Sequence, residues 1–180
     1  MPVVPGTHTV TGTVATTSEM NTFFRDPINY LLVRPHAQLL QIVVQTLTTA
    51  VAAAITFTSE TVDTDVDGVG GHDNVTNNSR WTARYAGWHL LGGGVAFAAN
   101  ATGRRASWWQ VNGTAVNGSS VAVAAAIGGL ETVVPARSMQ VFLNVGDYVE
   151  LMGYQESGGN LNTFSSTFNA SSMSVLWVTN

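Results

Sequence analysis

The sequence predicts an all-β domain, a β-sandwich or jelly roll, preceded by a short arm of extended and helical structure. Three observations support this prediction. Apolar and polar residues alternate in short runs, so that Tyr148, Glu150, Met152 and Tyr154 share one strand face. Turn sequences rich in Asn and Gly recur about every 8–12 residues, which is typical of antiparallel sheets rather than βαβ units. Residues 1–38 follow a different pattern, which predicts the arm.

The predicted division is an attachment arm over residues 1–38 and a jelly-roll trimerisation domain over residues 39–180. Residues 1–18 are rich in Thr, Val and Pro without helical periodicity, so we expect them to be extended. Thr16 and Glu19 have the spacing of a capping box, which predicts the start of a helix.

Two short helices are predicted in the second half of the arm. Apolar residues at helical spacing between positions 20 and 24 indicate the first one. Asp26-Pro27 should interrupt it, because the residue before a proline is pushed out of the helical region. Pro27 should then open a second helix, which ends at Arg34-Pro35. Helices this short cannot form a core, so we expect them to dock on the following domain, a sister subunit or another protein.

The rest of the chain is predicted to form short strands separated by turns. The segment 49–54 is rich in Ala and could be helical, but its flanks are β-branched, which favours a strand. The predicted strands lie at 41–45, 53–59, 80–84, 87–98, 104–111, 120–126, 137–143, 147–155 and 173–178.

The composition excludes several classes of protein. Charged residues make up 10% of the chain, against roughly 25% in average soluble proteins. All seven cations are Arg and eleven acids outnumber them, so we expect no nucleic-acid partner. The absence of Cys excludes disulfides and thiolate metal sites, and the absence of Lys excludes Schiff-base chemistry.

No targeting or membrane-spanning segment is recognised. The N-terminus lacks the basic and apolar regions of a signal peptide. The longest apolar stretch, 121–127, is far shorter than the roughly 20 residues that cross a bilayer. We therefore expect a soluble protein, not exported by that route, with no membrane partner.

Several short sequences, taken in order, resemble a known family. They are residues 63–65 ahead of Arg80-Trp81, followed by 86–90, 95–104, 111–113, 143–149 and 174–178. Together they resemble the C1q/TNF-like jelly roll, in the version common in bacteriophage structural proteins. The resemblance covers about residues 39–180. It implies a homotrimer in which the Gly146-Asp147 turn starts a strand near the trimer axis.

The arm carries a second resemblance. Residues 20–32 with the following Arg34-Pro35 are similar to an N-terminal attachment segment of tailed-phage virion proteins. The chain has no collagen-like stalk, so we expect a short distance between the domain and its attachment surface. If the resemblance applies, the side chains suited by size and spacing to docking are Phe23, Phe24, Tyr30 and Leu31.

Aromatic residues are numerous in a chain with so little charge, which agrees with a subunit interface. Each of them could equally fill the core, the usual place of a large apolar side chain. The candidates for trimer interface or core are Trp81, Trp88, Trp108, Trp109, Trp177 and Tyr148.

An acidic loop is a candidate calcium site. Asp63, Asp65 and Asp67 alternate before Gly68, as in the first half of a calcium-binding loop. The twelfth position is not Glu and no helices flank the loop, which excludes an EF-hand. One hypothesis is an irregular Ca²⁺ site that uses these three acids and Asp73; the other is that the acids keep an exposed loop solvated. We expect no other cofactor.

No catalytic constellation is found. The four histidines are dispersed, and no Gly-x-Ser-x-Gly sequence is present. Glu131, Glu150 and Glu156 could pair as glycosidase carboxylates, but isolated surface acids are far more common. We therefore expect no enzyme.

These observations lead to one preferred function. The chain is predicted to be a phage virion structural protein. It would form a trimeric knob on the particle surface, anchored to the capsid lattice by its arm. Capsid decoration is favoured over a tail or neck appendage. The alternative is a receptor- or glycan-binding module that uses the loops farthest from the arm, with Trp108, Trp109 and the 63–73 loop as candidates.

Overall fold

The computed structural model describes residues 16–32, 34–64, 68–125 and 130–179, and of residues 30–32 the backbone. The ladders between its strands are antiparallel, and the predicted all-β jelly-roll class is confirmed. The strands are β1 (His36–Leu40), β2 (Thr46–Leu47), β3 (Ala53–Ala54), β4 (Ser59–Thr64), β5 (Arg80–Thr82), β6 (Gly87–Phe97), β7 (Arg104–Val111), β8 (Thr114–Ala115), β9 (Val121–Ala124), β10 (Thr132–Leu143), β11 (Tyr148–Gln155), β12 (Leu161–Asn162) and β13 (Ser172–Thr179).

Two sheets pack face to face. The first has the order β10-β6-β13-β1-β4, and the second has the order β3-β11-β7-β8, with β5 also paired to β11 and β9 to β7. A two-stranded ribbon joins β12 to β2. Strands distant in sequence are therefore neighbours, as a jelly roll requires.

The core lies between the inward faces of the two sheets. Alternate residues of each strand point into it, which explains the period of two in the sequence. Leu91, Val95 and Met173 of the first sheet meet Trp109 and Leu151 of the second, and all five are completely buried.

The two ends of the sandwich differ in what they carry. His36 is opposite both Leu176 and Thr64, so the helical segment joins the sandwich where β4 and β13 end. We call this the arm end. Phe97 is opposite Thr132 at the other end, where the loops that precede β10 and β13 lie beside the loop that follows β1. We call this the distal end.

Residues 41–45, predicted to be a strand, form a loop. The buried Gln41 amide donates to the Thr56 carbonyl at 3.1 Å, and Gln45 Nε2 donates to the Ala54 carbonyl at 2.9 Å. These side-chain bonds tie the loop to the segment before β4 in place of a strand ladder. The first strand instead lies just before the loop.

The predicted strand 137–143 is longer in the structure, where β10 begins at Thr132 and contains Pro135. Proline donates no backbone hydrogen bond and is therefore confined to edge strands and bulges. β10 is the edge strand of the first sheet, and its register with β6 shifts between Ala136 and Met139. Both features explain how the strand accommodates Pro135.

The predicted helix start is confirmed, since Glu19 N donates to Thr16 Oγ1 at 3.2 Å and Thr16 N donates to Glu19 Oε2 at 2.8 Å. The predicted break at Asp26-Pro27 is wrong. Helix α1 (Thr17–Met20) continues through a π-helical turn, Asn21–Arg25, into α2 (Asp26–Leu32).

Asp26 N donates to the Asn21 carbonyl, five residues back. The proline ring would collide with the carbonyl four residues before it in a regular α-helix, and the wider π turn relieves that collision. Among the described residues, no helix is long and apolar enough to cross a bilayer.

Two glycines with the same backbone angle should tolerate alanine differently. Gly103 and Gly118 have φ of +76° and +77°, but a Cβ on Gly103 would collide with the Glu156 carbonyl, whereas one on Gly118 would meet nothing within 4 Å. We expect Gly118→Ala to lower the free energy of unfolding by about 1 kcal/mol, and Gly103→Ala by about 3 kcal/mol. Urea unfolding measures both, and equal losses would contradict the collision.

His89 should make the fold sensitive to acid. Its ring is buried against Trp81, with centroids 5.5 Å apart, and its Nδ1 lies 2.9 Å from the Gly87 carbonyl. Burial lowers the pKa of His89 below its usual value of 6.5. The unfolded chain therefore takes up a proton that the folded chain resists, so stability is lost as the pH falls below about 6.5.

We expect His89→Asn to flatten this loss. Asn is smaller than His and should lower stability at every pH, but it does not titrate. The measurement is the free energy of unfolding at pH 7.5 and pH 5. If the free energy of unfolding falls as much in the variant as in the native protein between these two pH values, other groups cause the acid sensitivity.

Candidate subunit interface and attachment surface

The outward face of the first sheet carries a compact group of exposed apolar side chains. Trp88 and Leu90 alternate with inward residues on β6 and are 43% and 39% exposed. Phe142 lies opposite Trp88 on β10, and Leu176 lies opposite Leu90 on β13; they are 48% and 39% exposed. We call these four residues the sheet-face cluster.

The cluster is ordered by its own contacts. The Trp88 and Phe142 rings meet edge to face, with centroids 5.8 Å apart and planes at 79°. This is a preferred geometry for aromatic pairs, so the two side chains hold each other in place on the surface. Such a cluster is presented ready-made to a partner and loses little side-chain freedom on contact.

A shallow groove of about 390 Å³ adjoins the cluster. Gly92, the next outward position on β6, leaves the groove open, since a Cβ there would come within 2.9 Å of Ser174 Oγ. Leu90, Val62 and Ser138 also line the groove. The surface is therefore apolar and indented, with small hydroxyl groups along one side.

The central strands of this face carry no fixed charge. β1, β6 and β13 contain no Asp, Glu, Lys or Arg. Removing a charged group from water is costly unless it is paired. The central strands can therefore be covered without that cost.

The helical segment presents a second apolar surface. Met20, Phe24 and Ile28 are 47%, 57% and 51% exposed, and their four-residue spacing places them on one side of the segment. We call these three residues the helix stripe. Within the described residues, the extensive contacts of α1, the π turn and α2 are with one another.

The docking residues predicted for the arm fall in this segment. Phe24 belongs to the stripe and Phe23 is half-buried. The side chains of Tyr30 and Leu31 lie outside the described residues. Met20 and Ile28 were not among the predicted docking residues, although their spacing of four residues from Phe24 indicates them. The docking role itself stays a prediction.

The predicted aromatics divide between core and surface. Trp81, Trp109 and Trp177 are buried, while Trp108 is half-buried on the outward face of the second sheet. Tyr148 is half-buried beneath the Arg80 guanidinium, 4.0 Å above its ring. Of these candidates, Trp88 lies in the sheet-face cluster. Its neighbours Leu90, Phe142 and Leu176 were not singled out, although strand alternation indicates them.

The acidic loop is held by its own backbone. Asp63 accepts hydrogen bonds from Gly71 N, His72 N and Trp81 Nε1 at 2.7–3.1 Å. Asp73 accepts from the backbone N–H groups of Thr76 and Val75, which lower its pKa. Asp65 and Asp67 lie outside the described residues. No group of three or more potential metal ligands occurs among the residues described, and the Ca²⁺ site stays a prediction.

This loop is not at the end of the domain where the glycan-binding alternative needs it. β4 ends at Thr64 opposite His36, and Thr82 N beside the start of β11 donates to the Gly71 carbonyl. Residues 68–72 therefore lie at the arm end rather than far from the arm. Trp109 is completely buried and cannot face a ligand. The expected placement of these candidates on distant loops is therefore wrong.

The three glutamates considered as glycosidase acids are dispersed and hydrogen-bonded. Glu131 accepts from Asn169 Nδ2, and Glu150 accepts from Ser79 Oγ and Arg80 Nε. Glu156 pairs with Arg104 at 2.9 Å. Nothing in this arrangement places two of them around a common cleft.

Comparison with solved structures shows the fold. The chain is similar to the Eiger TNF of S. frugiperda, with a TM-score of 0.60 and 8% identity over 82% of this chain and 94% of that chain. It is also similar to murine APRIL, with a TM-score of 0.57 and 9% identity over 81% and 99% of the two chains. No family model and no curated protein matches the sequence. The predicted TNF-like jelly roll is thus confirmed as a fold.

Proposed function

We propose that this chain is a structural protein of a bacteriophage virion. It forms a homotrimeric jelly-roll knob, and its N-terminal helical segment fixes the knob to the particle. Capsid decoration is the preferred form, and a tail or neck appendage is the alternative. The observation that supports the proposal most is that the chain presents two separate apolar surfaces. The sheet-face cluster suits contact between copies, and the helix stripe suits contact with the particle.

The self-association step rests on the sheet-face cluster. A closed ring of copies buries the same patch in every subunit. Three is the number of copies that the resemblance to C1q/TNF-like proteins implies. Fully burying an exposed large apolar side chain contributes about 1.5–3 kcal/mol. The four cluster residues are 39–48% exposed, so completing their burial would contribute roughly 1 kcal/mol each, a few kcal/mol for every copy.

The attachment step rests on the helix stripe. The stripe belongs to an amphipathic helix, a shape that proteins commonly seat in an apolar groove. Three such helices on one trimer can engage a repeating lattice together. Simultaneous engagement raises the overall affinity well above that of one helix, which suits a protein that must stay on a particle.

The location on a virion is supported by the resemblance of residues 20–32 to phage attachment segments. A capsid offers many identical sites at fixed spacing, which matches a trimer with three attachment helices. The glycan-binding alternative gains no support from the position of its candidate residues, because residues 68–72 lie at the end that the arm would hold against the particle.

The trimer can be tested by removing the aromatic pair of the sheet-face cluster. We expect the native mass to be three times the 19.0 kDa of one chain. Trp88→Ser combined with Phe142→Ser should lower the mass to that of one chain, because the apolar contact between copies is lost. The single chain should stay folded, because both side chains are already nearly half exposed in it. Sedimentation equilibrium measures the mass, and circular dichroism confirms that the fold is kept.

Val75→Ser is the matched control, because Val75 is 86% exposed in the loop before β5, outside both the cluster and the Gly146-Asp147 turn. It should leave the trimer intact. A native protein that sediments as a single chain would remove the trimer from the proposal.

The attachment role can be tested on the helix stripe. We expect Phe24→Ser combined with Ile28→Ser to abolish binding to particles that lack the protein, while the trimer mass stays unchanged. Co-sedimentation with such particles measures binding. Val75→Ser, at a residue 86% exposed in the 68–79 loop, is the control and should bind normally.

Substitution is preferable to deletion of residues 1–38, because β1 begins at His36 and Trp177 N donates to the Pro35 carbonyl at 2.9 Å. Full particle binding by the stripe variant would show that the helix is not the anchor.

A further inference from the structure

The distal end carries a third set of exposed apolar side chains, which neither proposed contact uses. Phe168 is 95% exposed and Leu130 is 62% exposed. Ile42, Val43 and Val44 are consecutive and are 59%, 59% and 51% exposed. We call these five residues the apolar tip. An exposed apolar group of this kind marks a protein or membrane contact site.

Hydrogen bonds bring the three loops of the tip together. Asn169 Nδ2 donates to Glu131 Oε1 at 3.1 Å, which joins the Phe168 turn to the loop of Leu130. Gln41 N donates to the Ser171 carbonyl at 2.9 Å, which places Ile42 beside the same turn. The tip is therefore one surface, although its residues are far apart in sequence.

The turn that carries Phe168 is tightly closed. Ser166 Oγ accepts from Phe168 N at 3.3 Å and from Asn169 N at 3.0 Å, and Ser166 N donates to the Asn169 carbonyl at 2.7 Å. A turn closed from both sides holds its central side chain outward. Phe168 thus projects from the end of the sandwich and does not fold back onto it.

The loops of the tip carry almost no charge. Residues 41–58 and 157–180 contain no Asp, Glu, Lys or Arg. Glu131 is the acid beside the tip, and the Asn169 amide is its partner. The remaining polar groups nearby are Ser, Thr and Asn. Charged side chains are the groups that make entry into a bilayer costly, and these loops do not have them.

We propose that the apolar tip inserts into the interface of an uncharged lipid bilayer. Its two most exposed side chains, Phe168 and Leu130, project from separate turns, whereas peptide-docking sites of proteins are commonly grooves or sheet edges. A fluid interface adapts to several projecting side chains at once. The neighbouring hydroxyl and amide groups can hydrogen-bond to lipid head groups. The tip is at the opposite end from the arm, so it stays accessible when the arm is engaged.

This proposal differs from the earlier expectation of no membrane partner. That expectation rested on the absence of a segment that spans a bilayer. Insertion of loop tips needs no such segment, because the apolar side chains enter only the boundary between head groups and acyl chains.

The first test is flotation of the full-length protein with phosphatidylcholine vesicles. We expect the native protein to float with them, and Phe168→Ser and Val43→Ser each to weaken vesicle binding, Phe168→Ser by about tenfold or more. Val75→Ser is the matched control, because Val75 is equally apolar, 86% exposed and outside the tip. Binding should not change between 0.15 and about 0.5 M salt or on adding anionic lipid, since the contact is not ionic.

The second test uses the absence of cysteine from the chain. Thr167→Cys, next to Phe168 and labelled with an environment-sensitive fluorophore, should show a blue shift when vesicles are added. The same label on Asn74→Cys, beside Val75, should not respond. The two labels together show whether the apolar tip or another exposed apolar surface meets the lipid.

Three outcomes would overturn the proposal. They are failure of the native protein to float, equal flotation of Phe168→Ser and the native protein, and an equal response of the labels at positions 74 and 167. A lower native mass for Phe168→Ser would also overturn it, because a second copy of the chain would then cover the tip. Loss of particle binding in the helix-stripe variant would not affect these results, so the two proposals fail independently.

Discussion

The structure depends on β6, which pairs with β10 on one side and β13 on the other and is apolar on both faces. Its inward residues, Leu91 and Val95, are completely buried in the core. Its outward residues, Trp88 and Leu90, remain exposed and are the centre of the sheet-face cluster. The second sheet covers the inward face of the strand. The outward face stays partly exposed, and covering it with a partner would be favourable, which is the basis of the proposed contact between copies.

Side-chain hydrogen bonds organise the ends of the sandwich, where strand ladders stop. Gln155 Nε2 donates to the carbonyls of Leu47 and Gly159 at 3.0 and 2.9 Å. Arg105, completely buried, donates from its two terminal nitrogens to the Thr102 and Asn100 carbonyls at 2.9 and 3.2 Å, and burial lowers its pKa. These long polar side chains donate hydrogen bonds to loop carbonyls in a domain that has few charges. Buried polar groups need such hydrogen-bond partners.

Sequence alone predicted the fold class and most strands, because alternation and turn residues are local signals. The capping box at Thr16 was also predictable, since it depends on residues three apart. The strand predicted at 41–45 was wrong because Gln41 and Gln45 both form side-chain hydrogen bonds with Thr56, which lies more than ten positions away. The helix break at Asp26 was wrong because a π turn can absorb a proline. In the candidate interface, Trp88 was predicted. Strand alternation also indicates that Leu90, Phe142 and Leu176 face outward, but Phe142 and Leu176 come beside β6 only through its pairing with β10 and β13.

The scarcity of charge also constrains how such a protein can act. Proteins that associate quickly are usually guided by complementary charge, and their rates fall as salt rises. A chain with 10% charged residues and a net charge of −4 has little of this guidance. Contacts made through its apolar surfaces must therefore form at ordinary unguided rates and owe their persistence to slow dissociation. Slow dissociation follows from several apolar contacts that act together, which the proposed trimer with three helices would provide and a lone chain would not. In the proposed assembly the sheet-face cluster and the helix stripe therefore depend on each other, because association through the first would make attachment through the second durable.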